Sequence, residues 1–252
     1  MSQITEAVLA LNLSAADMAK AQGVAAVPEL TQLLKHEDNA VRTIAVIALG
    51  EIQHPEAFKA LMYAAQEEDN SVAGTAVTQL SKHGSLIGTN QLLQLLGTMK
   101  SEAARSQLVL TIGRLGGDPD RGGLQSFCAQ HDDQEEALSC MAALAKLGLD
   151  KSRKDFSVHF MEKRDLKAFS MAEYIDQPWL LPYLGHLLRY MDPVETLGDP
   201  PPGFPSMLRV CDKAVVLIAK ISGKQFSFPT DRHMNYSIMQ ISEAERVAGS
   251  LP

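Results

Sequence analysis

Residues 38–52 read DNAVRTIAVIALGEI and residues 69–83 read DNSVAGTAVTQLSKH. Laid over each other, Val41 meets Val72, Ala45 meets Ala76, Val46 meets Val77 and Leu49 meets Leu80. A further step brings Ala104, Leu108, Val109 and Ile112 to the same places, and another brings Cys140, Met141 and Leu144. The first position runs 41, 72, 104, 136, a period of 31, then 32, then 32 residues, and it breaks at the last step, where Glu136 is polar. Self-similarity at this period constrains the fold more than any other feature of the chain, because it makes each unit one supersecondary element that must stack on its neighbours to bury its apolar side.

Each unit has two halves. Leu30, Leu33 and Leu34 recur as Leu61, Ala64 and Ala65, then as Leu93 and Leu96. Spacings of three and four belong to a helix with one buried stripe. The unit is therefore helix, short turn, helix. The turns carry Asp38–Asn39, Asp69–Asn70 and Asp132–Asp133. A short polar side chain there accepts from the unpaired amides that start the second helix, so the repeated DN is expected to be a cap rather than a ligand site. Gly84, Gly116–Gly117 and Gly148 fall where second helices end and are expected to make the left-handed turn that stops them.

The stretch AVPELTQLLKHEDNAVRTIAVIALGEI at 26–52 and its three echoes resemble the HEAT-like repeat family, including the short bacterial repeats of the phycobilisome-lyase type. The resemblance covers about residues 23–148. It implies an all-α solenoid of helical hairpins whose second helices line a groove. It implies little about function, since such solenoids host many roles. The expected organisation is one solenoid over 1–252. Residues 1–22 form a degenerate N-terminal cap, 23–148 four regular repeats and 149–177 an irregular helical segment. Residues 178–223 form a last repeat interrupted at 192–206, and 224–252 a tail with a capping helix from about Ser242. The interruption, DPVETLGDPPPGFPS, is too rich in proline for a regular helix.

Composition narrows the function. The chain has 252 residues, a formal charge of -7 and three cysteines. Its acidic balance argues against nucleic-acid and anionic-membrane partners. The N-terminus lacks a basic segment followed by an unbroken apolar run, and no stretch reaches a membrane span, so a cytoplasmic, soluble protein is expected. The odd cysteine count fits reduced thiols. Cys128 and Cys140 align with Leu96 and Leu108, which makes them expected core residues rather than metal ligands with His131. No hydrolase, nucleotide-binding or metalloprotease motif is present. Asp118, Asp120 and Arg121 read as a turn, His159 and Glu162 as a solvated face, and Trp179 as a packing anchor. No catalytic residue, cofactor or metal is therefore expected, and the chain reads as a non-enzyme.

Two features point to binding. The position just before the last core residue of each second helix reads Glu51, Lys82, Arg114 and Lys146, then Lys220 in the last repeat, with Lys20 one period upstream. A position that recurs once per repeat forms a column, here a basic ladder in an acidic protein, although cations at helix C-termini also interact favourably with the helix dipole by about 0.3–1 kcal/mol each. Arg42 and Arg105 recur at a second position nearby. The other feature is the 192–206 insertion, which carries Leu197 and Phe204 on a proline-stiffened backbone. The expectation is a protein-binding module with these residues at the interface. The ending RVCDKAVVLIAKISGKQFSF is similar to that of bacterial HEAT-like proteins associated with toxin systems, which implies an immunity protein that neutralises a secreted toxin with an acidic surface. Alternatives are a bilin lyase-like protein that handles tetrapyrroles and a repair protein that reads DNA shape. No residue pattern demands a particular oligomeric state.

Overall fold

Ser2 accepts a hydrogen bond from the amide of Thr5 and opens α1 (Gln3–Leu9) in the computed structural model of the chain, which describes residues 2–131, 134–199, 205–230 and 234–249. The described chain divides into two compact units, Met1–Leu147 and Gly148–Pro252. Both are built from helical hairpins, the architecture of an α-solenoid.

In the first unit α1 pairs with α2 (Ser14–Gln22), so the expected N-terminal cap is a hairpin in its own right. A 3-10 turn leads into α3 (Val27–Leu33), which pairs with α4 (Asn39–Leu49). Next come α5 (Pro55–Ala64) with α6 (Asn70–Lys82), then one turn of helix, α7 (Gly84–Ile87), and the pair α8 (Thr89–Leu96) and α9 (Glu102–Leu115). The pair α10 (Asp118–Cys128) and α11 (Gln134–Lys146) closes the unit. The second helices α2, α4, α6, α9 and α11 pack in succession. Val41, Ala45, Val46 and Leu49 are all buried, as are their echoes in α6 and α9. The periodic positions are thus the core of the stack, each large side chain contributing about 1.5–3 kcal/mol relative to exposure.

The turn chemistry follows the repeat. Asp38 accepts from the Ala40 amide at 2.8 Å, and Asp69 accepts from the amides of Ser71 at 2.9 Å and Val72 at 3.1 Å. Ser101 takes the same role for α9, accepting from Ala104 at 3.1 Å. Asp132 and Asp133 lie outside the described residues. The glycines behave less uniformly. Gly148 has φ of 86° and makes the left-handed turn, but Gly116 is extended at φ -76° and ψ 164°. Gly84 is glycine for space, since a Cβ there would lie 1.8 Å from Leu115 Cδ1.

In the second unit the off-register segment is itself a hairpin, α12 (Asp150–Lys163) and α13 (Leu166–Ile175). A 3-10 turn at Pro178–Leu180 leads to α14 (Leu181–Leu187), which packs on α15 (Val210–Ser222). Trp179 stands edge-on to Phe156 and Tyr183, with the Arg153 guanidinium over its ring, and so joins α12 to α14. The insertion between α14 and α15 is not wholly irregular. Its ends pair as antiparallel strands β1 (Pro193–Thr196) and β2 (Met207–Arg209). Pro193 opens β1, a position where the missing amide costs no ladder bond. The tail ends in α16 (Ile238–Gly249), which starts earlier than Ser242 and packs on α14 and α15.

Candidate functional site

The column sits at the ends of the second helices. Lys20, Lys82, Arg114 and Lys146 each occupy the last turn of their helix in the first unit. Lys82 Nζ lies 3.5 Å from the Glu51 carboxylate one repeat earlier. The first two members of the column, Glu51 and Lys82, therefore meet across one repeat. Lys82 and Arg114 are exposed, and Lys146 is half-buried. Lys220 holds the equivalent place on α15 in the second unit, 3.4 Å from Glu173. Exposed pairs of this kind contribute about 0–1 kcal/mol, so either lysine can exchange its carboxylate for another at little cost.

Arg42 and Arg105 do something else. Arg42 Nη1 donates to the carbonyls of His36 at 2.8 Å and Glu37 at 2.9 Å. Arg105 Nη1 donates to the carbonyls of Met99 at 3.1 Å and Lys100 at 3.2 Å. Both guanidiniums thus satisfy carbonyls left unpaired past the end of the first helix in their own hairpin. Both also reach into the next repeat, Arg42 to Glu67 at 3.8 Å and Arg105 to Glu136. Glu136 is fully buried, which accounts for a polar residue in the core column. The two arginines are braces between repeats, and periodicity alone did not separate them from the exposed column.

A polar ladder runs beside the braces. Asn39 Nδ2 donates to Asp69 Oδ2 at 2.9 Å, and Ser101 Oγ donates to Asn70 Oδ1 at 2.6 Å. Gln107 Nε2 donates to Thr78 Oγ1 at 2.8 Å, and the hydroxyls of Ser81 and Thr111 meet at 2.7 Å. The partners are about one period apart in each case, so the asparagine of each DN links one cap to the next. Asp69 is held below the usual carboxylate range, first by the Asn39 amide and then by the Val72 amide.

The cysteines correct an expectation. Cys128 and Cys140 are joined by a disulfide with Cα atoms 5.7 Å apart, tying the end of α10 to α11. Cys140 is buried in the core as expected and Cys128 is half-buried, but the pair is oxidised rather than reduced. The reason is local: the hairpin turn brings the two helix positions face to face, although their separation of 12 residues in sequence carries no sign of it. His131 stacks on Phe127 and its Nδ1 is 2.9 Å from the Phe127 carbonyl. Among the described residues no group of three or more His, Cys, Asp or Glu side chains is placed to hold a metal ion. The remaining thiol, Cys211, is buried, and that burial, with the Asp212 carboxylate beside it, pushes it up to about 11.

Of the insertion residues, Leu197 is half-buried, with its amide donating to the Ser206 carbonyl at 2.8 Å, and Phe204 lies outside the described residues. The base of the insertion is fixed firmly. Asp212, 1% exposed, accepts from Arg209 Nε and Nη2, both at 2.8 Å, and from the Tyr236 amide at 3.0 Å. Lys213 Nζ donates to Glu195 of β1 at 2.7 Å. Asp120, taken from the sequence as a turn residue, accepts from the Gly117 amide at 3.0 Å and from the Thr89 hydroxyl at 2.5 Å.

Stacked helical hairpins with a row of polar side chains along their second helices define an α-solenoid of the kind that presents a surface to other proteins. A family model described as HEAT repeats matches residues 7–81 and 27–113, so this stretch of the first unit is similar to HEAT repeats. HEAT repeats generally mediate protein–protein interaction and are typically non-catalytic scaffolds. No curated protein gives a significant match to the chain. Among the described residues no helix is long and apolar enough to cross a membrane.

Proposed function

We propose that the chain is a non-enzymatic binding module that docks a protein with an acidic surface on the second-helix face of its first unit. Lys82, Arg114 and Lys146 supply the complementary charge, and Arg42 and Arg105 hold the repeats in register behind them. The observation that supports this reading is the place of Lys82, Arg114 and Lys146 in the last turns of successive second helices that pack on one another, with Lys82 meeting Glu51 across one repeat. Charges arranged in this way raise the association rate and fix register more than they raise affinity. In the second unit Lys220 carries the corresponding charge in the last turn of α15, and Leu197 stands on the hairpin insertion that leads into the other end of that helix. The specific role we favour is neutralisation of a secreted toxin inside the producing cell, a reading supported by the similarity of the ending at 209–228.

The test is affinity capture from the source cells, wild type beside a Lys82→Glu, Arg114→Glu, Lys146→Glu triple variant. One stoichiometric partner, bound to the wild type and associating roughly tenfold or more slowly with the variant, is the expected result. A partner held equally by both moves the interface off this face. Failure to protect cells from every toxin encoded beside the gene sinks the specific role and leaves the binding module standing.

A further inference from the structure

The first unit carries a groove of about 500 Å³ between the first helices α5 and α8, on the opposite layer from the column. Elsewhere in this layer α3 packs on α5 and α8 packs on α10. The groove opens where α7 is inserted. Gly84 lets α7 press against Leu115 of α9, and Gly88, at φ 86°, turns the chain into α8. This places Ile87 in the floor and Leu86 on the lip. Phe58, Ile87 and Leu95 are 6%, 7% and 5% exposed, and Met62 completes the floor. Leu86 is 63% exposed. The rims are polar: Lys59 and Gln66 on the α5 side, Gln91, Gln94 and Thr98 on the α8 side. Positions 59, 62, 66 and 91, 94, 95, 98 follow helical spacing, so each wall is one continuous stripe.

We propose that this groove is a second docking surface, separate from the second-helix face, and that its occupant is an acidic amphipathic helix of a partner protein. Charge selects the sign. The chain has 30 acidic against 23 basic residues, yet no carboxylate lines the groove. Lys59 is its one charge; it is exposed and has no ion pair among the described residues. The amides and the hydroxyl donate and accept alike and take either sign, so the ammonium decides. Backbone chemistry selects the conformation. An extended peptide would depend on the few rim amides to pair its backbone, and any amide or carbonyl left over Phe58, Ile87 and Leu95 without a partner would be costly. A helix satisfies its backbone internally and offers apolar side chains at i, i+3 or i+4, and i+7 to such a floor.

The test uses the full chain and a fluorescent, helix-forming peptide of about 15 residues, long enough to hold helical structure. It has leucine at helical spacing and flanking glutamates, and is compared with a counterpart carrying lysine for glutamate. The acidic peptide should bind saturably. Lys59→Glu and Leu86→Asp, both at exposed positions, should each weaken it about tenfold with the circular dichroism melt unchanged, while Lys82→Glu leaves the affinity as it was. Equal binding of the basic peptide, unchanged affinity in both variants, or no saturable binding would each overturn the proposal. So would self-association in sedimentation equilibrium that Leu86→Asp abolishes, which would make the occupant a second copy of this chain.

Discussion

Glu136 stands where the other repeats have Val41, Val72 and Ala104, and it is fully buried beside a guanidinium that is 14% exposed. A carboxylate in such a place is tolerable because Arg105 meets it, and Arg105 in turn closes two carbonyls of its own hairpin. Removing one partner of a buried pair leaves a charge without compensation, at a cost of about 3–5 kcal/mol, whereas replacing both sides by apolar groups is often near neutral. Arg105→Leu should therefore lower the urea midpoint of the first unit by an amount worth about 3 kcal/mol. The double variant Arg105→Leu, Glu136→Val should recover most of it. If the single variant unfolds at the wild-type midpoint, the pair is not a brace. The sequence showed Glu136 only as a failure of the pattern, because periodicity registers that a position is polar and not what meets it. The same blindness placed Arg42 and Arg105 with the exposed cations. What separates them is that each guanidinium also closes two carbonyls of its own hairpin, a contact that periodicity does not register.

Helices and turns were far more legible. Spacings of three and four located the paired helices of the first unit, and DN at 38–39 and 69–70 located two of the caps, because these are local preferences of a few residues. What lay beyond local chemistry was the use of the second residue. Asn39 ties its turn to Asp69, and this amide is the largest cause holding the Asp69 carboxyl below its ordinary 3.8. A depressed carboxyl contributes stability that is present above 3.8 and lost as pH falls through its folded value. Asp69→Ala should cost about 1 kcal/mol near neutral pH, the usual value of an N-cap, and the cost should shrink in acid. In an NMR titration Asn39→Ala should return the Asp69 carboxyl toward 3.8. An unchanged titration would mean that the amide does not matter. The disulfide and the β1–β2 pairing were invisible for a related reason: each depends on two segments meeting in space, and neither Cys128 nor Pro193 announces its partner.

At the scale of the whole molecule the regular period ends close to the boundary between the two units, near residue 148. In the first unit successive repeats repeat their contacts, and stability is approximately a sum of units and their interfaces. The second unit is held by less regular means: aromatic packing around Trp179, and the Asp212 cluster that fastens β2 and the tail to α15. The chain also labels the two units differently. Its single tryptophan is in the second, and its disulfide is in the first. Closing a loop of this size removes unfolded-state entropy worth about 2–3 kcal/mol, so reduction should destabilise the unit that contains the bond. During urea unfolding, tryptophan fluorescence reports the second unit, while circular dichroism reports helices in both. Two compact units with their own cores should give non-coincident transitions by these probes. A reductant, or Cys128→Ser, should move part of the circular dichroism curve to lower urea and leave the fluorescence curve in place. If both curves move together, the chain unfolds as one cooperative body, and the aromatic cluster around Trp179 draws its stability from the repeats that precede it.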